Sequence, residues 1–157
     1  MSTLTPNTVN TLVVTATDIA ANTGSSSVAI TEDSTPNTLT ISTPPQTLNA
    51  NTLTITGSTK ANASVAITGG AATATGLADG VGLYSLVVNL TQDANNNLLV
   101  TSTDIVLNVS TGSVLIVEDS TAPVTVISTP TQTTYNPIIT LSGTTEAFAN
   151  IVVTGGS

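Results

Sequence analysis

Apolar and polar residues alternate with a period of two along most of this chain, as in "LVVTAT" (12–17), "SVAIT" (64–68), "LYSLVVNL" (83–90) and "GSVLIVE" (112–118). That period sends successive side chains to opposite faces of an extended strand. Read this way, the middle of the chain predicts strands at 38–42, 52–56, 63–68, 72–76, 83–90, 97–103 and 112–118. Turn residues separate them: Pro44-Pro45, Gly69-Gly70, "ADGVG" (78–82) and "DANNN" (93–97). No window combines helical periodicity with caps. The alternation points Val65, Ile67, Leu86, Val88, Leu98, Val100, Val114 and Ile116 inward. Seven short strands with Pro-rich joints predict an all-β fold, a two-sheet sandwich.

The pattern repeats. Residues 1–71 align with 87–157 at a constant offset of 86, without a gap, and 31 of the 71 pairs are identical. "LVVTATDI" (12–19) meets "LLVTSTDI" (98–105), and "ITEDSTP" (30–36) meets "IVEDSTA" (116–122). "ISTPPQT" (41–47) meets "ISTPTQT" (127–133). Such a period signifies tandem copies of one small domain. With joints at the "EDST" segments, 37–122 is one complete unit, 1–36 the last part of a unit and 123–157 the first part of another. Only 72–86 occurs once.

Composition narrows the chemistry. Aromatic residues are scarce (Tyr84, Tyr135 and Phe148), so the core is aliphatic and these rings pack at core or rim. One cation, Lys60, stands against nine carboxylates, for a net charge of −8. Such a chain cannot neutralise a phosphate backbone or seek an anionic membrane, which argues against nucleic-acid partners. No apolar run is long enough to span a bilayer, so membrane insertion is not expected. His, Cys, Arg and Trp are absent, no Ser or Thr has a partner base in view, and the carboxylates recur at repeat positions as scaffold residues do. No enzyme is expected. Asn62, Asn89 and Asn108 head N-x-S/T triplets, which chance supplies readily in a chain so rich in Asn and Thr. The Thr-x-Thr runs read as outward residues of exposed strands.

Four segments, "GSTKANASVAI" (57–67), "ADGVGLY" (78–84), "VTATDIAAN" (14–22) and "EDSTAP" (118–123), follow a known pattern. The chain resembles, over nearly its whole length, the bacterial Ig-like domains that occur in tandem in large extracellular adhesins. One departure is visible: the family's Gly before the turn Asn is Ala21 in one copy and Leu107 in the next. The resemblance implies an Ig-like sandwich and an extracellular or cell-surface location. It also implies that acidic residues near the joints could hold Ca²⁺, with Asp18, Asp33, Asp104 and Asp119 as candidates. Ca²⁺ takes six to eight oxygens, and this supply is thin. The plainer expectation is that Asp18 and Asp104 make turn hydrogen bonds and the Glu-Asp pairs are solvated. No other cofactor is expected.

Three functions compete. The first is a filament subunit whose partial units complete each other head to tail, so that its partner is another copy of itself. Leu12, Val14, Val28 and Ile30 would then meet Val124, Val126, Ile139, Leu141, Ile151 and Val153 of a neighbour. The second is a stretch of the covalent stalk of a giant surface adhesin. The third is a carbohydrate- or protein-binding module, for which the sequence offers no site.

Overall fold

The structure, a computed structural model, describes residues 2–155. Its strands are β1(Thr8–Thr17), β2(Thr23–Glu32), β3(Thr40–Ile41), β4(Gln46–Leu48), β5(Thr52–Ser58), β6(Ser64–Thr68), β7(Ala74–Leu77), β8(Leu83–Asn89), β9(Ala94–Thr103), β10(Val109–Glu118), β11(Val126–Ile127) and β12(Gly143–Thr144). The described residues divide into two compact units, one running to Asp119 and one starting at Ser120.

In the first unit, β3–β10 form the sandwich. One sheet has the order β4-β10-β9-β6-β7 and the other β3-β5-β8. Neighbours are antiparallel except β4, which runs parallel to β10 with Ile116 opposite Gln46. This short strand is absent from the alternation pattern, because Pro44-Pro45 leaves it only three residues. Elsewhere the pairing sets the apolar positions side by side: Ile67 opposite Val100, Leu98 opposite Val114 and Ile55 opposite Leu86. Ile55, Val65, Ile67, Val88, Leu98, Val100 and Ile116 are wholly buried between the sheets, with Val114 beside them and Leu86 partly buried against them. Each such side chain contributes roughly 1.5–3 kcal/mol through removal from water.

Tyr84 closes the core at one end, its hydroxyl donating to the Thr40 carbonyl at 2.8 Å. Gly57 permits that approach, since a Cβ there would overlap both the Thr40 carbonyl and the Tyr84 ring.

The hairpin β1–β2 reproduces β9–β10 at the 86-residue offset, down to the strand ends and the register. Leu12 stands opposite Val28 as Leu98 stands opposite Val114. What differs is cover. Val14 is 71% exposed and Val28 55%, whereas their counterparts Val100 and Val114 are buried.

The second unit is described by itself. Val126 pairs with Thr144 and Ile127 with Gly143, as Thr40 pairs with Ser58 and Ile41 with Gly57. Ser128 N–H donates to the Ser142 carbonyl as Ser42 N–H does to Thr56. Beyond this the strands of the full sandwich are not formed, and Ile139, Leu141, Ile151 and Val153 are exposed. Tyr135 and Phe148, expected at core or rim, are fully exposed. The complete unit turns Leu39 and Ile41 towards its core and leaves Thr38 and Thr40 outside. At the 86-residue offset Ile127 stands at the position of Ile41.

Candidate functional site

The densest polar construction in the first unit lies where the 33–37 linker leaves β2 and enters the sandwich. It begins with Asn7, ahead of β1. Asn7 N–H donates to Glu32 Oε2 at 2.6 Å, while Asn7 Oδ1 accepts Ser34 N–H at 2.9 Å and Thr35 Oγ1–H at 2.7 Å. These bonds fix the linker to the base of the hairpin.

The sandwich holds the same linker from the other side. Lys60, in the turn between β5 and β6, places Nζ 2.6 Å from Asp33 Oδ2 and 2.8 Å from Asp104 Oδ2. Asn108 Nδ2 donates to the Asp33 carbonyl at 3.0 Å. Asn37 is buried under the end of β9, donating to Ser102 Oγ at 3.3 Å and to the Asn108 carbonyl at 3.2 Å. Ser110 Oγ–H donates in turn to the Asn37 carbonyl, and the hydroxyls of Thr59 and Ser102 bond at 2.6 Å.

Local sequence explains why Asp104 is poised here. Its Oδ1 accepts Val106 N–H at 3.0 Å and Asn108 N–H at 2.9 Å, closing a tight turn between β9 and β10. That turn requires a left-handed residue, and Leu107 takes it with φ 70°. The first copy builds the same turn on Asp18, with Ala21 at φ 66°. The substitution of the family's Gly therefore leaves the turn intact, and Ala and Leu carry its backbone strain.

The charges reinforce one another. Hydrogen bonding to Lys60 holds the Asp104 carboxyl down at about 2, against the opposing effect of burial and with help from the amides of Asn108 and Val106. Lys60 likewise lowers Asp33. The two carboxylates, Asp104 first, raise the Lys60 ammonium. Asp18 is lowered by Asn22 within its own turn.

Of the four metal candidates, the structure brings together Asp33 and Asp104, with the Lys60 ammonium between them. Asp18 caps its own turn, and the Asp119 amide donates to the Leu48 carbonyl at 3.0 Å. Among the described residues no three His, Cys, Asp or Glu side chains gather. The Asn108 side-chain amide, which heads an N-x-S/T triplet, is engaged with Asp33 and Asp104. Sequence reasoning overlooked Lys60 and Asn37 as joint residues. The repeat gives no signal for either, because their counterparts are Glu146 and Pro123. The arrangement consists of charges, amides and hydroxyls that grip a linker from both ends.

The bacterial Ig domain family matches residues 36–119. Among solved structures, the chain is similar to a Ca²⁺-stabilized adhesin that helps an Antarctic bacterium reach out and bind ice, with 23% identity and a TM-score of 0.40. That similarity covers 76% of this chain and 34% of the other, so the chain spans about a third of the adhesin's length. No curated protein matches. Among the described residues, no helix is long and apolar enough to cross a membrane.

Proposed function

From a chain that belongs to the bacterial Ig domain family, we propose a structural role: a unit of an extracellular stalk or filament, made of Ig-like sandwiches joined end to end and mechanically tied at the 33–37 linker. Its partial units are completed by a neighbouring copy, with the β1–β2 hairpin of one chain seated on the 123–155 segment of the next.

One observation carries the proposal. The hairpin matches β9–β10 strand for strand, yet the face that β9–β10 bury in the sandwich is bare at Val14, Val28 and Ile30. A surface that would complement it is the open groove of the second unit, whose apolar lining is Val126, Ile127, Leu141, Ile151, Val152 and Val153. Docking the hairpin there would rebuild a sandwich that lacks only the counterpart of 72–86. Bare apolar faces and unpaired strand edges are features that soluble proteins cover, and donation of strands between chains is an established way to do so. Tail-to-head contact of this kind uses two different surfaces, so it propagates unless its rotation closes a ring.

The gapless period and the recurrence of "EDST" at 32–35 and 118–121 favour a second reading. In it the same repeat continues covalently within one long surface protein, and neighbouring segments of a single polypeptide complete each unit.

Deletion of residues 123–157 separates them. Intermolecular completion predicts that the purified 157-residue chain forms rods or fibres in electron micrographs and that the truncated chain sediments as a monomer. Fibres of unchanged axial repeat after the deletion would contradict it. Monomers from both chains would leave the covalent array as the better account.

A further inference from the structure

The turn that presents Asp104 carries three consecutive exposed apolar residues, Ile105, Val106 and Leu107, which are 84%, 51% and 79% exposed. Three bare aliphatic residues on a left-handed turn gain nothing in the unit that displays them. We infer that this tip is a docking surface for a second copy of the chain, and that Tyr135 of that copy is the residue that covers it. The inference rests on the completion of units between copies proposed above.

The position of the tip supports it. Asp104 and Asn108 flank the three residues, and both belong to the grip on Asp33. The tip therefore lies against the base of whatever sandwich the β1–β2 hairpin belongs to.

The complete unit shows which residues form such a base. There the Asp119 amide donates to the Leu48 carbonyl and the Leu90 amide to the Asn51 carbonyl, so the turn at 49–51 sits beside the outgoing linker. At the 86-residue offset, Asp119 corresponds to Asp33 and Asn49 to Tyr135. When a second copy completes the hairpin's unit, its Tyr135 takes the place of Asn49 next to the linker that the tip adjoins. In the second unit described by itself, Tyr135 has nothing over it.

Size matching gives independent support. An array of completed units contains two kinds of joint. One brings Tyr135 to the Ile105-Val106-Leu107 tip, and the other brings Asn49 to the corresponding tip, Ile19-Ala20-Ala21. The large aromatic base meets the bulky tip, and the small polar base meets the small one. Removal of apolar surface from water favours the first pairing, while a ring with a polar hydroxyl suits the wet edge of a joint.

Mixed-chain cross-linking tests this. The natural chain has no Cys, so single thiols report cleanly. Chains carrying Val106→Cys are mixed with isotopically heavy chains carrying Tyr135→Cys and treated with a short bis-maleimide. Both sites are exposed in the single chain, so each variant, melted before assembly, should match the parent. The expected product is a heavy–light pair in high yield, with few light–light or heavy–heavy pairs, and more of it than from Ala20→Cys chains mixed with the same partner. Sedimentation before cross-linking tells two failures apart. If the chains assemble but give no preferred heavy–light product, the tip assignment is wrong and completion stands. If they do not assemble, completion between copies fails and takes this inference with it.

Discussion

At the scale of single residues the joint is governed by one cation. Lys60 lies between Asp33 and Asp104, and the sign of its effect on stability follows from the shifts. Asp104 titrates at about 2 in the folded chain, below its ordinary 3.8. Its contribution is therefore complete above the ordinary value and is lost as pH falls towards 2. Lys60 is shifted upward, so its contribution is complete below its ordinary value of 10.5 and is lost as pH rises beyond it. Stability from the clamp spans the range between. Thermal melts against pH should show a steeper acid loss between about pH 4 and 2 in the parent than in Lys60→Met, because the variant's Asp104 titrates nearer the ordinary carboxylate range. Parallel profiles would show that Lys60 does not hold Asp104. A second residue-scale prediction concerns Leu107. Its left-handed backbone costs about 1–2 kcal/mol, part of which glycine returns as greater chain entropy when unfolded. Leu107→Gly should thus stabilise by up to about 1 kcal/mol, a rise of a few degrees in thermal midpoint. The acidic residues of this region were legible in the sequence, because the repeat displays Asp18 and Asp104 at matching positions. Lys60 was not legible as their partner, since nothing in a linear pattern tells that the β5–β6 turn approaches the linker.

At the scale of elements, alternation did most of the predicting. It located the strands that bury Val65, Ile67, Val88, Leu98, Val100 and Ile116, because a half-buried strand writes its two faces directly into the sequence. It failed where that physics is weak. β4, with three residues, is too short to show a period. The second copy of β3 has Thr125 at the place of Leu39, so the alternation is not kept there. The core assignment itself is open to direct attack. Val100 is wholly buried on β9, opposite Ile67 of β6. Val100→Asp should cost about 3 kcal/mol or more, since it leaves an unpaired charge in an aliphatic core. For a domain of this size, that lowers the thermal midpoint by more than about 10 °C. A midpoint within a degree or two of the parent would mean that the faces of β9 are inverted.

At the scale of the whole molecule, the repeat is the organising fact. It builds one closed sandwich and, with the same residues, a hairpin and a segment that reproduce its pieces without its cover. The local pairings of those pieces survive because they depend on nearby sequence, as in Ile127 with Gly143. Their burial does not, because in the closed sandwich it depends on further strands that these pieces lack. The proposed completion has a specific register. In the closed sandwich Ala66 of β6 stands opposite Thr101 of β9, and at the 86-residue offset this pair becomes Val152 and Thr15. Facing residues on paired strands bring their Cβ atoms to about 4.5–5.5 Å, close to what a disulfide spans. Thr15→Cys chains mixed with isotopically heavy Val152→Cys chains, under mild oxidation, should give a heavy–light disulfide as the dominant product, and shifting either Cys by one residue should abolish it. A distribution of heavy–light, light–light and heavy–heavy products set only by chance, or equal yield from the shifted positions, would contradict completion of the sandwich between neighbouring chains.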